Sequence, residues 1–193
     1  MTTVFVGGSR RVSRLGAAVR TRLDTIMEKG FPVIVGDANG ADKAVQQYLS
    51  DKGYEHVEIF CSGTACRNNL GNWHTRQIKT DPKDKGFRFY AAKDRVMARE
   101  ADYGLMIWDG KSTGTLLNVL RLLRQQKKVV VYNVPERRFS ELKAGDDWQG
   151  FVATLDPELR GEMEQKARIE ERTYGTREQP TLLPMSPGEP GLG

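Results

Sequence analysis

The stretch LMIWDGKSTGTLLNV, from Leu105 to Val119, sets Gly-Lys-Ser-Thr directly after an apolar run and ahead of a helical pattern. Those residue types suggest phosphate chemistry, because a triphosphate loop wraps bare backbone N–H groups around the phosphates and sends a lysine to them. Such a loop needs a glycine five positions before the glycine of Gly-Lys-Ser. Leu105 stands there, and the nearest glycine, Gly104, is one place off. Leu105, Met106, Ile107 and Trp108 read instead as a buried strand. The stretch is therefore no triphosphate loop. It predicts a strand, a short turn with Gly110 and Gly114, and a helix opening at Thr113 to Thr115. That arrangement aims N–H groups and the positive end of a helix dipole at whatever sits above the strand end.

Two further loops share this design. VFVGGSRR puts Gly7, Gly8 and Ser9 at the exit of a first strand, followed by Arg10 and Arg11, and VIVGDANGAD places Gly36, Asp37, Asn39, Gly40 and Asp42 after a second. One glycine after a strand often does no more than turn the chain. Three glycine turns at equivalent strand ends, the third with Asp109, Gly110, Ser112, Thr113, Gly114 and Thr115, create a single crevice lined by N–H donors. Its natural occupant is an anion. Arg10 suits a bidentate clamp on phosphate, although an arginine at a helix start also serves simply as a solvated charge.

The elements that must position these loops follow from periodicity. Apolar β-rich runs near Thr3 to Val6, Pro32 to Val35, His56 to Phe60, Tyr103 to Trp108 and Val129 to Tyr132 predict five strands. Arg14 to Lys29, Ala41 to Lys52, Asp94 to Ala101 and Thr113 to Gln126 carry helical spacing. The alternation predicts a Rossmann-like α/β three-layer sandwich around a mainly parallel sheet of five strands or slightly more. In such sheets ligands gather at the carboxyl ends of the strands. Residues 62 to 90 read as a long polar lid, binding loop or oligomer contact, in which FRFYAA suggests a short strand. Residues 1 to 138 form the sandwich domain, 139 to 173 a charged helical extension, and 174 to 193 a Pro/Gly-rich tail with too little apolar surface to offset the entropy of ordering.

Composition narrows the classes. The chain has 193 residues, 38% hydrophobic and 28% charged, as expected of one globular domain. No apolar run approaches the roughly 20 residues of a membrane helix, and the N-terminus lacks a secretory layout, so a cytoplasmic location is expected. Cys61 and Cys66 are too few for a disulfide framework and read as structural thiols. With only His56 and His74 besides, neither a metal site nor a cofactor is expected. The net charge is +5, and eight acidic against five basic residues from Asp156 onward put −3 there, so residues 1 to 155 carry +8. That excess favours an anionic ligand or nucleic acid.

GGSR after the first strand, GDANGAD after the second and AREADYGLMIWDGKSTGTLLN around the fourth resemble the SLOG superfamily over about residues 3 to 134. That group includes YspA/YpsA-like proteins, the LOG phosphoribohydrolases and, more distantly, nucleoside 2-deoxyribosyltransferases. The resemblance implies a nucleotide, nucleoside or related phosphorylated ligand over the strand ends, with Ser112 to Thr115 cradling phosphate or ribose. Glycosidic members carry a glutamate at the position of Asn118, and an amide cannot replace a carboxylate nucleophile. LOG enzymes also place an Arg-Lys pair before the methionine matching Met97, where this chain has Lys93 and Asp94. Deoxyribosyltransferase-like members place an aspartate at Asp94, which would bind ribose hydroxyls or act as an acid or base. The same residue also reads as the N-cap of a helix.

Trp73, Tyr90 and Trp108 are candidates to stack on a base, with core or dimer-contact roles as the alternative for Trp73 and a core role for Trp108. Ligand binding is the preferred function. N-glycosidic cleavage or transfer is the alternative, and nucleic-acid binding related to the DprA branch of the same broad fold is the second alternative, since the basic residues are scattered rather than clustered. A homodimer is expected by analogy with related folds.

Overall fold

The computed structural model describes residues 1–143 and 145–174. Thirteen elements follow in order: β1 (Val4–Gly8), α1 (Ala17–Glu28), β2 (Val33–Gly36), α2 (Ala41–Asp51), β3 (Val57–Ser62), β4 (His74–Ile78), α3 (Phe87–Glu100), β5 (Tyr103–Trp108), α4 (Thr113–Arg124), β6 (Lys128–Asn133), β7 (Arg138–Leu142), α5 (Gly145–Ala153) and α6 (Pro157–Tyr174). One seven-stranded sheet runs β4-β3-β2-β1-β5-β6-β7, parallel throughout except for the antiparallel β6–β7 pair. This is the Rossmann-like α/β sandwich that the periodicity predicts.

Alternation along the strands divides the core. Val4 and Val6 of β1 join Leu105 and Ile107 of β5 under α1 and α2, where Val19, Leu23, Val45 and Leu49 face the sheet. Phe5, Met106, Val129 and Val131 point to the opposite face, beneath α3 and α4. α4 is buried nearly all round, from Thr113 to Leu123, because α5 and α6 add a second cover through Trp148, Val152, Met163 and Ala167. Among the described residues no helix is long and apolar enough to cross a membrane.

Four expectations are corrected. Residues 62 to 90 are not one loop: they contain β4, which pairs in parallel with β3 from Glu58↔His74 to Ser62↔Ile78. FRFYAA is the opening of α3 rather than a strand, so Asp94 lies in mid-helix and Gly86, with φ +55°, takes the cap position. The segment after residue 138 adds β7 before turning helical, and it does so in two helices. Cys61 and Cys66 are not free thiols but a disulfide, with Cα atoms 5.2 Å apart, because the chain turns sharply after β3. The Pro/Gly tail expected from 174 onward lies outside the described residues save Tyr174 at the end of α6.

Candidate functional site

Strands β1 to β4 build the sheet in one direction and β5 to β7 build it in the other, so the order reverses between β1 and β5. The carboxyl ends of two strands that part in this way leave a crevice between their following loops. At the end of β1, Gly7 and Gly8 pair with Met106 and Ile107. A Cβ on Gly8 would run into the Ile107 carbonyl and the Ala41 side chain, so only glycine lets the two strands and α2 meet here. The loop beyond is stitched: the Ser9 carbonyl accepts from Ala41 N at 3.0 Å and Ser9 Oγ accepts from Arg11 N at 3.1 Å.

At the end of β5 the turn is held by Asp109, whose Oδ1 accepts from Lys111 N at 3.1 Å and Ser112 N at 2.7 Å while Gly110 takes φ +78°. Ser112 caps α4, its Oγ accepting from Thr115 N at 3.3 Å. Between the two loops lies a cleft of about 540 Å³, with Arg10, Arg11 and Lys111 in its lining on the basic side. Gly7, Gly8, Ser9, Asp109 and Ser112 to Thr115 line it, and Asp94 and Asn118 meet there from α3 and α4.

Beneath the cleft runs a chain of buried charges. Lys93 Nζ lies 2.7 Å from Asp94 Oδ1 and 3.8 Å from Asp42 Oδ2. Asn118 Nδ2 donates to Asp94 Oδ2 at 3.3 Å, and Asn118 Oδ1 accepts from Arg121, whose Nε and Nη2 pair with Glu170 of α6 at 2.7 and 2.5 Å. Burial alone would raise Asp94, but Lys93, Arg121 and the Asn118 amide hold its carboxyl below the usual aspartate value. Asp42 behaves oppositely: burial outweighs Lys93, and its pKa is raised to about 6. Burial would push Lys93 down, yet Asp94 and Asp42 keep its ammonium above the ordinary lysine value. A Cβ on Gly36 would strike the Asp42 carboxylate and the Lys93 ammonium, so this glycine makes room for the charges. Asp94 is thus an ionised carboxylate on the cleft floor, suited to accept hydroxyl hydrogen bonds or to face a developing positive charge, and unsuited to donate a proton.

The second glycine loop joins the socket only through Ala38 and Asp42. Asp37 is taken by Arg67, which donates to it from Nη2 at 2.6 Å, Nε at 3.0 Å and its backbone N at 3.1 Å. Burial would raise Asp37, and these hydrogen bonds from Arg67 bring it below the ordinary value instead. Asn68 Nδ2 donates to the Asp37 carbonyl at 2.8 Å and to Asn39 Oδ1 at 3.1 Å. Gly36 and Asp37 are therefore covered by the chain's own side chains, Asn39 is exposed and Gly40 half-buried outside the cleft, and of this loop Ala38 and Asp42 reach it.

The aromatic candidates also separate. Tyr90 lines the cleft, with the guanidinium groups of Arg10 and Arg67 each 4.6 Å from its ring centroid. Trp73 does not line it. Its indole packs against the α1–α2 side of the core and donates to the Tyr54 carbonyl at 2.9 Å. Trp108 is buried, donates to the Ser112 carbonyl at 3.2 Å and packs on Phe151, facing a neighbouring cleft that also holds Gly110.

Several lining groups escaped the sequence reading. Lys93 carries the floor, and Glu162 of α6 reaches the cleft beside Lys166, whose Nζ donates to Thr113 Oγ1 at 2.8 Å. Only a buried Lys-Asp dipeptide inside a helix would have hinted at the first, and no local signal marks the second. Among the described residues no group of three or more His, Cys, Asp or Glu is placed to hold a metal ion.

Comparison with protein-family models finds no match, and comparison with curated proteins finds none either. Among solved structures, the fold is similar to that of DNA processing protein A from Helicobacter pylori, with a TM-score of 0.54 and 13% identity, covering 87% of this chain and 81% of that one. That structure is described as giving insight into a single-stranded DNA binding mode. At this identity the likeness is one of fold: a Rossmann-like sheet of the same architecture.

Proposed function

We propose that the chain binds a nucleotide, nucleoside or related phosphorylated metabolite in the cleft above β1 and β5. One observation carries the reading: a basic rim of Arg10, Arg11 and Lys111 and the capped N-terminus of α4 face the same 540 Å³ space as the ionised Asp94 and the Asn118 amide. A phosphate is stabilised by the first group and sugar hydroxyls by the second, so a ligand bearing both matches the two ends of the cleft. The resemblance to the SLOG superfamily supports the same class of ligand.

Calorimetric titration with nucleoside monophosphates, the matching nucleosides and inorganic phosphate tests it. Nucleotides are expected to bind more tightly than either fragment, and Asp94→Asn to weaken nucleotide more than inorganic phosphate. Equal affinity for phosphate and nucleotide would remove the sugar-recognising floor from the account. Release of free base, abolished in Asp94→Asn, would extend the reading to N-glycosidic cleavage.

A second reading is favoured by the fold likeness to a protein described as binding single-stranded DNA and by the +8 carried by residues 1 to 155. Binding of a single-stranded oligonucleotide that falls steeply with salt, competing with the mononucleotide, would move the assignment there.

A further inference from the structure

The disulfide sits where the closed and open halves of the strand-end surface meet. Cys61 is the fifth residue of β3 and fully buried, whereas Cys66 is half-buried in the turn that follows, so the bond ties Cys66 back to the sheet. The next residue is Arg67, whose backbone N and guanidinium all bond to Asp37 and whose charge lies over the Tyr90 ring. Asn68 then holds Asn39, and its carbonyl accepts from Gln46 Nε2 at 3.4 Å. One covalent link therefore fixes the origin of the Arg67 and Asn68 contacts that cover Asp37 and of one of the two guanidinium groups that back the Tyr90 wall of the cleft. Cutting it leaves the turn anchored to β4 by Gly63 N, which donates to the Ile78 carbonyl at 3.0 Å, and by Gln77 Nε2, which donates to the Thr64 carbonyl at 2.9 Å, but frees residues 65 and 66, and the ordering of Arg67 then costs conformational entropy that the bond had removed.

We infer that Cys61–Cys66 is a thiol–disulfide exchange site through which dithiol reductants loosen the Arg67 clamp and weaken ligand binding in the adjoining cleft, an inference that rests on the ligand-binding reading above. Cys66 Sγ is the sulfur open to attack. A thiolate of the dithiol bonds to it, the Cys61–Cys66 bond breaks, and Cys61 leaves as a thiolate that takes up a proton. The second thiolate of the reductant then closes on its partner sulfur, releasing Cys66 as a thiolate that is likewise protonated. Two electrons pass from the dithiol to the protein, and the reductant departs as a disulfide. With Arg67 released, Tyr90 loses one of its two cationic neighbours, and the cleft wall is ordered for only part of the time.

The experiment compares the full chain equilibrated in oxidised and in reduced dithiothreitol, with adenosine monophosphate as the calorimetric probe and amide hydrogen exchange over residues 63 to 69 as the second readout. In the oxidised protein neither cysteine is expected to take up an alkylating label. Reduction should quicken exchange over 63 to 69 and raise the Kd roughly threefold to tenfold, as affinity falls with the fraction of molecules holding the competent wall. Cys66→Ser, which leaves the buried Cys61 thiol in place, should match the reduced protein under both conditions. Labelling of both cysteines in the unreduced folded chain, unchanged exchange over 63 to 69, or equal Kd in the two forms would each overturn the inference, the last leaving the ligand reading intact. Adenosine monophosphate binding to neither form would overturn the inference too, and quickened exchange in that case would place the fault in the ligand reading rather than in the release of the clamp.

Discussion

The ends of β2 and β5 are built alike and finish differently. Each is a buried parallel strand that runs into a glycine-bearing turn with an aspartate, followed by a helix. At β5 the aspartate folds back onto its own turn, and the helix N-terminus stays open to a cleft. At β2 the aspartate receives an arginine from thirty residues away and the turn is shut. A glycine turn at a strand end thus supplies the shape of an anion site without deciding its use. What decides is whether a later segment brings a cation to fill it.

Removing the cation buried beneath the cleft, beside the β2 turn, should have the largest effect. Lys93→Ala leaves Asp42 and Asp94 buried without their common cation, and a loss of about 3–5 kcal/mol in urea unfolding is expected. The pH dependence of Asp42→Asn sharpens the comparison at nearly that scale. Because the folded pKa of Asp42 is raised from 3.8 to about 6, the stability it contributes is complete below pH 3.8 and lost as pH rises through about 6. The advantage of the wild-type chain over Asp42→Asn should therefore shrink by on the order of 3 kcal/mol between pH 4 and pH 7, measured by denaturant titration at each pH.

Opening the shut turn comes next. Arg67→Ala strips the buried Asp37 of its main donors, for an expected cost of about 1–3 kcal/mol, and should raise amide exchange at Asn39 and Gly40 without changing it at Ser112 to Thr115. The smallest effect on stability belongs to the open turn: Lys111→Ala, an exposed change, should alter unfolding by less than about 0.5 kcal/mol while weakening nucleotide binding severalfold.

The same contrast explains what the sequence discloses. β1, β2, β5 and β6 hold continuous apolar runs and β3 one broken only by Glu58, so they are legible, whereas β4, His74–Ile78, is an edge strand without a fully buried residue and is held by pairing with β3. The aromatics of FRFYAA favour a strand by propensity, yet tertiary packing of Ala91, Ala92 and Met97 makes them the first turns of α3. Gly7, Gly8 and the Ser112–Thr115 cap are visible because turn chemistry is local. The Arg67–Asp37 clamp and the Arg121–Glu170 pair span 30 and 49 residues, so nothing near either partner announces them.

Amide hydrogen exchange with and without saturating adenosine monophosphate tests the central claim most directly. Protection confined to Gly7–Arg10 and Ser112–Asn118, with Asn39 and Gly40 unchanged, is the predicted footprint. Protection centred on Asn39 and Gly40, or absent from both strand ends, would contradict it.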